Sequence, residues 1–219
     1  MKDLRPVGVR KVNCITVEGQ LYVVGKRFVI THNSLTVNCF WPAWEWGPQE
    51  LPHLRYVAFS YNSTLTERDN AKFRDLIISR DYRDMWGHVF QVVGDGKERV
   101  TNNKTGFKFA SSIGGTGTGE RGHRVLADDL HKVKGTHETD ESRENTTNWV
   151  REGMQNRLND LQRDAIVVIM QRVHDLDASG VIMQHLGDEY CHNIIPMEFE
   201  PGRHFSHYTG WNNGQDPRE

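Results

Sequence analysis

The sequence has few cysteines and no long apolar run. Its 219 residues include three cysteines, Cys14, Cys39 and Cys191, which are scattered and form no Cys-x-x-Cys pair. This pattern excludes a disulfide framework and favours a reducing compartment. No apolar run approaches the roughly 20 residues of a membrane-spanning helix, and the N-terminus has no signal-peptide core. We therefore expect a cytosolic protein without a membrane partner.

An excess of positive charge is also absent, because the formal net charge is -2. The chain as a whole therefore has no basic signature for nucleic acid. This counts little against DNA as a partner, since a local basic patch or a separate domain can make such a contact.

A complete phosphate-binding loop is missing too. Such loops are glycine-rich and end in Gly-Lys-Ser or Gly-Lys-Thr at the start of a helix. Gly25-Lys26-Arg27 lacks the hydroxyl residue, and the glycine-rich stretch 114–119 contains no lysine and precedes a strand. Neither segment qualifies.

What is present is an alternation of apolar strands and amphipathic helices. Six consecutive apolar residues at 165–170 are typical of a central strand in a parallel sheet that is covered on both faces. The pattern predicts an α/β fold with a mostly parallel sheet and flanking helices. Predicted strands are 12–17, 20–24, 28–30, 55–60, 89–93, 107–110, 124–127, 165–170 and 192–195; predicted helices are 35–46, 64–79, 138–158 and 176–186.

The tetrapeptide Thr31-His32-Asn33-Ser34 contains the groups needed to cut a peptide backbone. An asparagine side chain can attack its own carbonyl carbon and form a succinimide, and His32 adjoins Asn33 as a proton donor. The hydroxyl of Ser34 can accept an acyl group. Taken alone, this short sequence is also compatible with a polar turn.

Residues 12–19 (VNCITVEG) and 28–33 (FVITHN) resemble the carboxyl-terminal splicing motifs of inteins. The resemblance implies a short all-β segment of the HINT type at 1–33, in which Asn33 cyclises, His32 assists and Ser34 is the acceptor, without a cofactor. Because only this short segment precedes Ser34, we expect splicing in trans with an N-terminal partner chain. A truncated gene fragment is the alternative.

Two positions differ from the common intein pattern. Many inteins have Asp where this chain has Cys14, and many have His where it has Gln20-Leu21. The resemblance therefore implies a junction that splices slowly.

From Ser34 onwards, five segments resemble, in order, the ATPase core of phage terminase large subunits. They are SLTVNCFWPAWEWGP (34–48), FSYNSTLTERDNAKFRDLI (59–77), TGERGHRVLADDLHK (118–132), RLNDLQRDAIVVIMQRVHDLDASG (157–180) and IIPMEFEPG (194–202). The resemblance implies a P-loop-type ATPase core at 34–202 whose phosphate loop lies on the partner chain. Residues 203–219 are then a linker toward a nuclease domain, and we expect no nuclease activity from this chain.

Asp128 and Asp129 follow an apolar strand and form a Walker B pattern. An acidic residue there holds Mg²⁺ and its neighbour can act as the base, so we assign these roles to Asp128 and Asp129 respectively. An acidic pair that caps a helix is the alternative. After splicing, Ser34 is expected to be a second Mg²⁺ ligand.

Four further residues are candidates for contacts with ATP. Gln171 can sense the γ-phosphate or make a structural hydrogen bond at a strand end. Arg121 can stabilise charge on the transferred phosphoryl group or be an ordinary surface arginine. Tyr61 and Arg68 can border the nucleotide or simply pack.

The resemblance to terminases implies a motor that uses ATP and Mg²⁺ after splicing to move double-stranded DNA into a capsid. Its implied partners are the portal, the small terminase subunit and further copies in a ring, in the host cytoplasm. One alternative is a terminase ATPase fragment with an inert intein remnant. Another, a non-enzymatic DNA-binding or scaffold protein, leaves the Asp128-Asp129 pair unexplained.

Overall fold

The computed structural model describes residues 13–16, 21–24, 29–115, 119–132, 138–187 and 189–194. It contains ten strands in these ranges: β1 (Asn13–Thr16), β2 (Leu21–Val24), β3 (Val29–His32), β4 (Tyr56–Ser60), β5 (Val92–Asp95), β6 (Arg99–Asn102), β7 (Phe107–Ser112), β8 (Arg124–Asp128), β9 (Ala165–Ile169) and β10 (Cys191–Ile194). Eight of them form one sheet in the order β10-β1-β9-β8-β4-β7-β6-β5, while β2 and β3 form a separate antiparallel pair.

The large sheet is mostly parallel, as the sequence predicts. Strands β10, β1, β9, β8, β4 and β7 run in the same direction, and β6 runs opposite to them, so that it pairs antiparallel with β7 on one side and with the edge strand β5 on the other. Strand β6 was not predicted from the sequence. Its signal was Asp95-Gly96 between two short β-prone segments, a dipeptide typical of hairpin turns.

The helices are α1 (Asn33–Leu35), α2 (Trp41–Trp46), α3 (Ser63–Ile78), α4 (Arg80–Trp86), α5 (Asp140–Asn148) and α6 (Ala178–His185). A π-helical turn (Thr36–Phe40) joins α1 to α2 into one helical segment, here called helix 33–46. Pro42 has no N–H to donate to the preceding turn, which accounts for the irregular ladder. Within the described ranges, no helix is both long enough and apolar enough to cross a bilayer.

The predicted helix at 138–158 is less regular than expected. It is α5 followed by a π-helical turn (Trp149–Gly153) and a 3-10 turn (Gln155–Arg157). Helix α4 was not predicted from the sequence; its N-cap is Ser79, the first residue after α3 ends. The predicted linker 203–219 and the last matched residues, 195–202, lie outside the described residues.

Apolar side chains cover both faces of the sheet, which explains why its strands are continuously apolar. In β4, Val57 and Phe59 contribute to one core, and Tyr56 and Ala58 contribute to the other. The first core is closed by the segment from α5 to Leu158 and by α6. Helix 33–46, α3 and α4 close the second core.

Helix 33–46 is fixed on the sheet at its C-terminal end. Trp46 is fully buried, makes edge contacts with Phe73 and Phe90, and donates a hydrogen bond from Nε1 to the Leu54 carbonyl at 3.0 Å. The preceding residue, Glu45, forms a largely buried ion pair with Arg124 of β8, and the distance from Arg124 Nη2 to Glu45 Oε1 is 2.9 Å. These contacts set where the helix begins, at Asn33 and Ser34.

We expect Trp46→Ala to lower the free energy of unfolding by about 3 to 5 kcal/mol, because it removes a fully buried aromatic side chain and leaves a cavity. Trp44 belongs to the same helix but is 41% exposed, whereas Trp46 is 0% exposed. Trp44→Ala should therefore change stability by less than about 0.5 kcal/mol. Urea denaturation of both variants checks this pair, and equal losses would contradict the assigned packing.

Candidate functional site

Three parallel strands end at one edge of the sheet, and polar residues stand there. Asp128 ends β8 and is in register with Ile169 of β9, while Ser60 ends β4 next to it. Gln171 follows β9 by two residues. The carboxyl edge of a parallel sheet is where such folds bind ligands, so the sequence-based expectation of a polar edge agrees with the structure.

A small cavity of about 30 Å³ opens at this edge. It lies between the start of helix 33–46, the end of β4, the first turns of α3 and the end of β8. The residues that line it are Ser34, Ser60, Leu65, Thr66, Arg68, Asp69, Asp128 and Asp129. The structure therefore brings Ser34, Arg68, Asp128 and Asp129 together, all of which the sequence singled out.

The carboxylate of Asp128 is the centre of this arrangement. Its Oδ2 accepts a hydrogen bond from Nδ2 of Asn38 at 2.8 Å, and the Ser34 side chain also bonds the carboxylate. Its other oxygen, Oδ1, is buried and has no hydrogen-bond partner among the described residues. A buried, unpaired carboxylate oxygen is costly unless a ligand or cation uses it.

Burial raises the pKa of Asp128 to about 7, and repulsion by the neighbouring Asp129 carboxylate adds to this rise. The hydrogen bond from Ser34 and the positive charge of Arg68 oppose it. The site therefore disfavours negative charge at Asp128 in the absence of a cation. Strong perturbation of this kind is common at functional sites.

Asp129 turns the chain away from the sheet. Its φ is 46°, a left-handed conformation that non-glycine residues seldom adopt. Three hydrogen bonds hold this turn in place. The Asp129 N–H donates to the Ile169 carbonyl at 2.8 Å. The Asp129 carbonyl accepts from the Tyr61 N–H and from Ser60 Oγ, both at 3.2 Å. Backbone strain held in this way is characteristic of functional sites.

The donor set fits Mg²⁺. Magnesium in nucleotide sites is bound by one or two carboxylates or hydroxyls, with water and phosphate oxygens as the other ligands. Asp128 Oδ1 and the adjacent Ser34 hydroxyl match that requirement. Among the described residues, no cluster of three or more His, Cys, Asp or Glu side chains could hold a metal.

Basic side chains stand on the α3 side of the cavity. Arg68 makes a two-pronged contact with Asp69, with Nε to Oδ1 at 2.9 Å and Nη2 to Oδ2 at 3.0 Å. This hydrogen bonding raises the pKa of Arg68. Lys108 of β7 is fully buried and donates to Asn70 Oδ1 at 3.2 Å; burial lowers its pKa to about 8, while the Asp69 carboxylate opposes that fall.

The structure does not bring every predicted residue to this cavity. Tyr61 is 39% exposed and lines a different, open cavity together with Asn62, Lys132 and Glu138. Gln171 stands at the same sheet edge but does not line the cavity of Asp128. The neighbour of Gln171, Arg172, instead forms an ion pair with the buried Asp177.

Arg121 lies at the wrong end of β8 to act on a ligand held at Asp128. It is exposed and precedes β8, whereas Asp128 ends this five-residue strand. At about 3.3 Å per residue, the two ends of the strand are roughly 13 Å apart. Arg121 is thus an exposed residue at the amino edge of the sheet, outside the cavity of Asp128, and its role as a charge stabiliser stays a prediction.

The predicted splice junction lies where β3 runs into helix 33–46. Asn33 and Ser34 are both buried, and the Ser34 N–H donates to Asn33 Oδ1 at 2.9 Å. The asparagine carboxamide therefore lies beside the peptide bond that cyclisation would break. In the β2–β3 pair, Leu21 is the register partner of His32, so one of the two departures from the intein pattern stands opposite the predicted proton donor.

Three polar residues of the site region, Asn38, Asp69 and Lys108, were not predicted from the sequence. Asn38 follows Ser34 by four residues, the spacing that puts two side chains on one helix face, and this was its available signal. Lys108 stands out as a charged residue inside an apolar strand. Asp69 gave no local signal, because it lies in a helix rich in charged residues.

No protein-family model matches this chain, and no curated protein matches its sequence. The chemistry that these residues can perform is therefore inferred from the geometry of the site. A cavity lined by a serine hydroxyl, three acidic side chains and an arginine can hold a cation together with an anionic group such as a phosphate.

We expect Asp128→Asn to raise stability, because it removes a buried charge and preserves the side-chain shape. The folded pKa of Asp128 lies above its usual value, so its ionisation lowers stability as the pH rises from about 4 to 7. The variant should gain about 4 kcal/mol at about pH 8 and almost nothing at about pH 4. Urea denaturation at both pH values measures this difference.

The exposed Asp84 of α4 provides the matched control. Asp84→Asn should leave the unfolding free energy nearly unchanged at both pH values. If Asp128→Asn were only as stable as the parent chain at the higher pH, the assignment of Asp128 as a buried carboxylate with an unpaired oxygen would be wrong.

Proposed function

We propose that this chain is the precursor of a phage DNA-packaging ATPase of the terminase large subunit type. Residues 1–33 are the C-terminal part of a split intein, and residues 34–202 belong to the ATPase core. Splicing with an N-terminal partner chain rebuilds the phosphate loop directly before Ser34. The completed protein then hydrolyses ATP to move double-stranded DNA into the capsid, as a ring of copies that works with the portal and the small terminase subunit.

One observation supports this proposal most directly: Ser34 belongs both to the predicted splice junction and to the cavity that contains Asp128. Its N–H contacts the carboxamide of Asn33, and its side chain bonds the carboxylate of Asp128. A splice site at another position in the chain would not share a residue with the buried acidic end of β8. Joining the two chains at Ser34 completes the nucleotide site in the same step.

The splicing chemistry needs only groups of the two chains. The hydroxyl of Ser34 first attacks the partner's acyl group, which is held as an ester or thioester on the first residue of the partner's intein segment; the bond to that Cys or Ser breaks, and its side chain leaves with the hydroxyl proton. Asn33 Nδ2 then attacks its own carbonyl carbon, the bond to the Ser34 nitrogen breaks, and His32 provides the proton for the departing amine. The freed amine takes the acyl group from the oxygen and forms the new peptide bond.

In the completed ATPase, each residue of the cavity has a distinct task. Asp128 and Ser34 hold Mg²⁺, which neutralises charge on the phosphates when it is bound. Asp129 accepts a proton from the attacking water. Arg68 provides positive charge beside the phosphates, and Gln171 and Tyr61 lie at the same edge to contact parts of the nucleotide outside the small cavity.

A second candidate function is a terminase ATPase fragment with an inert intein remnant. The position of β1 favours it, because residues 13–16 pair with strands of the large sheet. In an inert remnant no splicing reaction takes place, so these residues stay in the sheet. The two candidates differ in whether the bond after Asn33 is ever cut.

Mixing with the partner tests the splicing proposal. The partner is the chain encoded nearby that carries an intein N-terminal segment directly after a glycine-rich stretch ending in lysine. We expect a ligated product and a released 1–33 peptide, both identified by mass. Asn33→Ala should abolish release of the peptide, since alanine cannot cyclise, whereas Asn148→Ala on the exposed end of α5 should not. Absence of ligation with the parent chain would favour the inert remnant.

Restoring the phosphate loop should create an ATPase that the precursor lacks. We expect Mg²⁺-dependent ATP hydrolysis by the ligated product, its loss on chelation with EDTA, and no turnover by the unspliced chain. Asp128→Asn and Asp129→Asn should each lower kcat by about 100-fold or more, whereas Asp84→Asn should not. Metal-dependent turnover by the unspliced chain would falsify this division of the site between two chains.

A further inference from the structure

Strand β1 is what holds β10 in the sheet. The two strands pair in parallel over four residues, from Asn13↔Cys191 to Thr16↔Ile194, and β9 lies on the other side of β1. Among the described strands, β1 is the only hydrogen-bonded neighbour of β10. β10 therefore belongs to the sheet only through a segment of residues 1–33.

The splicing reaction would remove this strand. Neighbouring strands lie about 4.8 Å apart, so loss of β1 would leave β9 and β10 about 10 Å from each other. Backbone hydrogen bonds cannot form across that distance. The apolar β9 would also become an unpaired edge, which promotes aggregation. The spliced product therefore needs another strand in this place.

The partner segment that becomes joined to Ser34 is suited to fill the gap. Ile169 of β9 is the register partner of Ile15 in β1 and of Asp128 in β8. The carboxyl end of the gap therefore lies at the sheet edge that holds Asp128, where Ser34 begins its helix. A partner strand parallel to β9 would end at that edge and need only a loop to reach Ser34.

We propose that β1 is a temporary strand and that the gap between β9 and β10 is the docking surface for a β-strand of the N-terminal partner chain. The occupant is the partner segment that leads into the rebuilt loop before Ser34, and it pairs in parallel with both β9 and β10. This inference rests on the proposed splicing function. It adds that residues 13–16 keep the incomplete core folded until the partner arrives, and that they must leave before the core is completed.

A reversible disulfide tests the starting position of β1. Cys14 is the register partner of His192, so His192→Cys places two cysteines at adjacent positions where a disulfide can form. Cys191→Ser is added to remove a competing thiol. Oxidation of this double variant alone should link the two strands, as seen by mass and by mobility without reductant.

The matched control moves the second cysteine by one residue. In Asn193→Cys with Cys191→Ser, the new cysteine projects from the opposite face of the sheet and should not form the link. If His192→Cys failed to cross-link, or if both variants cross-linked equally, the placement of β1 would be overturned, whatever the outcome of splicing.

The cross-linked variant then tests the exchange. After removal of oxidant, the locked chain mixed with the partner should give ligated product at least tenfold more slowly than the same chain after reduction. Parent chain treated with the same oxidant controls for other effects. Equal rates would overturn the strand exchange and leave the splicing function intact. If the cross-link forms but neither the oxidised nor the reduced chain is ligated to the partner, the proposed splicing function is overturned, and the partner strand with it.

Hydrogen exchange identifies what fills the gap. In the ligated product, from which residues 1–33 are gone, the backbone amides of β10 should remain as protected as in the precursor. Protection there supports the partner strand as the new neighbour of β10. A tenfold or greater loss of protection would overturn it, even when ligation itself succeeds.

Discussion

The buried carboxylate of Asp128 is the interaction on which the arrangement of the site depends. It ends the central strand β8 and accepts hydrogen bonds from helix 33–46, through Asn38 and Ser34. The helix is also fixed at its other end by Trp46 and Glu45, so its start cannot shift far without breaking core contacts. Burial of this underpaired charge lowers stability, and chains that keep such groups usually do so for function.

The same contact connects the two activities that we propose. Ser34 is the first residue that would remain after splicing, and it already bonds the carboxylate that would hold the metal. An interruption at this residue separates the phosphate loop from the acidic strand end. Under our proposal, neither chain hydrolyses ATP by itself, and ligation restores both the backbone and the nucleotide site.

A related constraint applies to the edge of the sheet that ends in β10. The described part of the core is well formed on both faces of β4, β8 and β9, yet β10 is attached through β1 alone. A parallel sheet gains its stability from continuous pairing, so a missing interior strand must be replaced by something. Residues 13–16 provide that pairing in this chain.

Local sequence was informative wherever a residue and its role lie close together in the chain. The apolar strands at 55–60, 124–127 and 165–170, the helices that separate them and the acidic pair after β8 all follow from period and composition. The helix α4 and the strand β6 were missed, because short elements depend on caps and a hairpin turn more than on period. These features are local too, but their signals are weak.

The sequence by itself determined the α/β class, the mostly parallel sheet and the polar residues at the carboxyl edge, because each strand and its final residue are encoded within a few positions. Only the tertiary structure decided which of those polar residues meet. It placed Asn38 and Arg68 beside the acidic pair, put Arg121 at the opposite end of β8, and inserted residues 13–16 between β9 and β10. Such placements depend on strand order and register, which join residues far apart in the chain and leave no trace in local pattern.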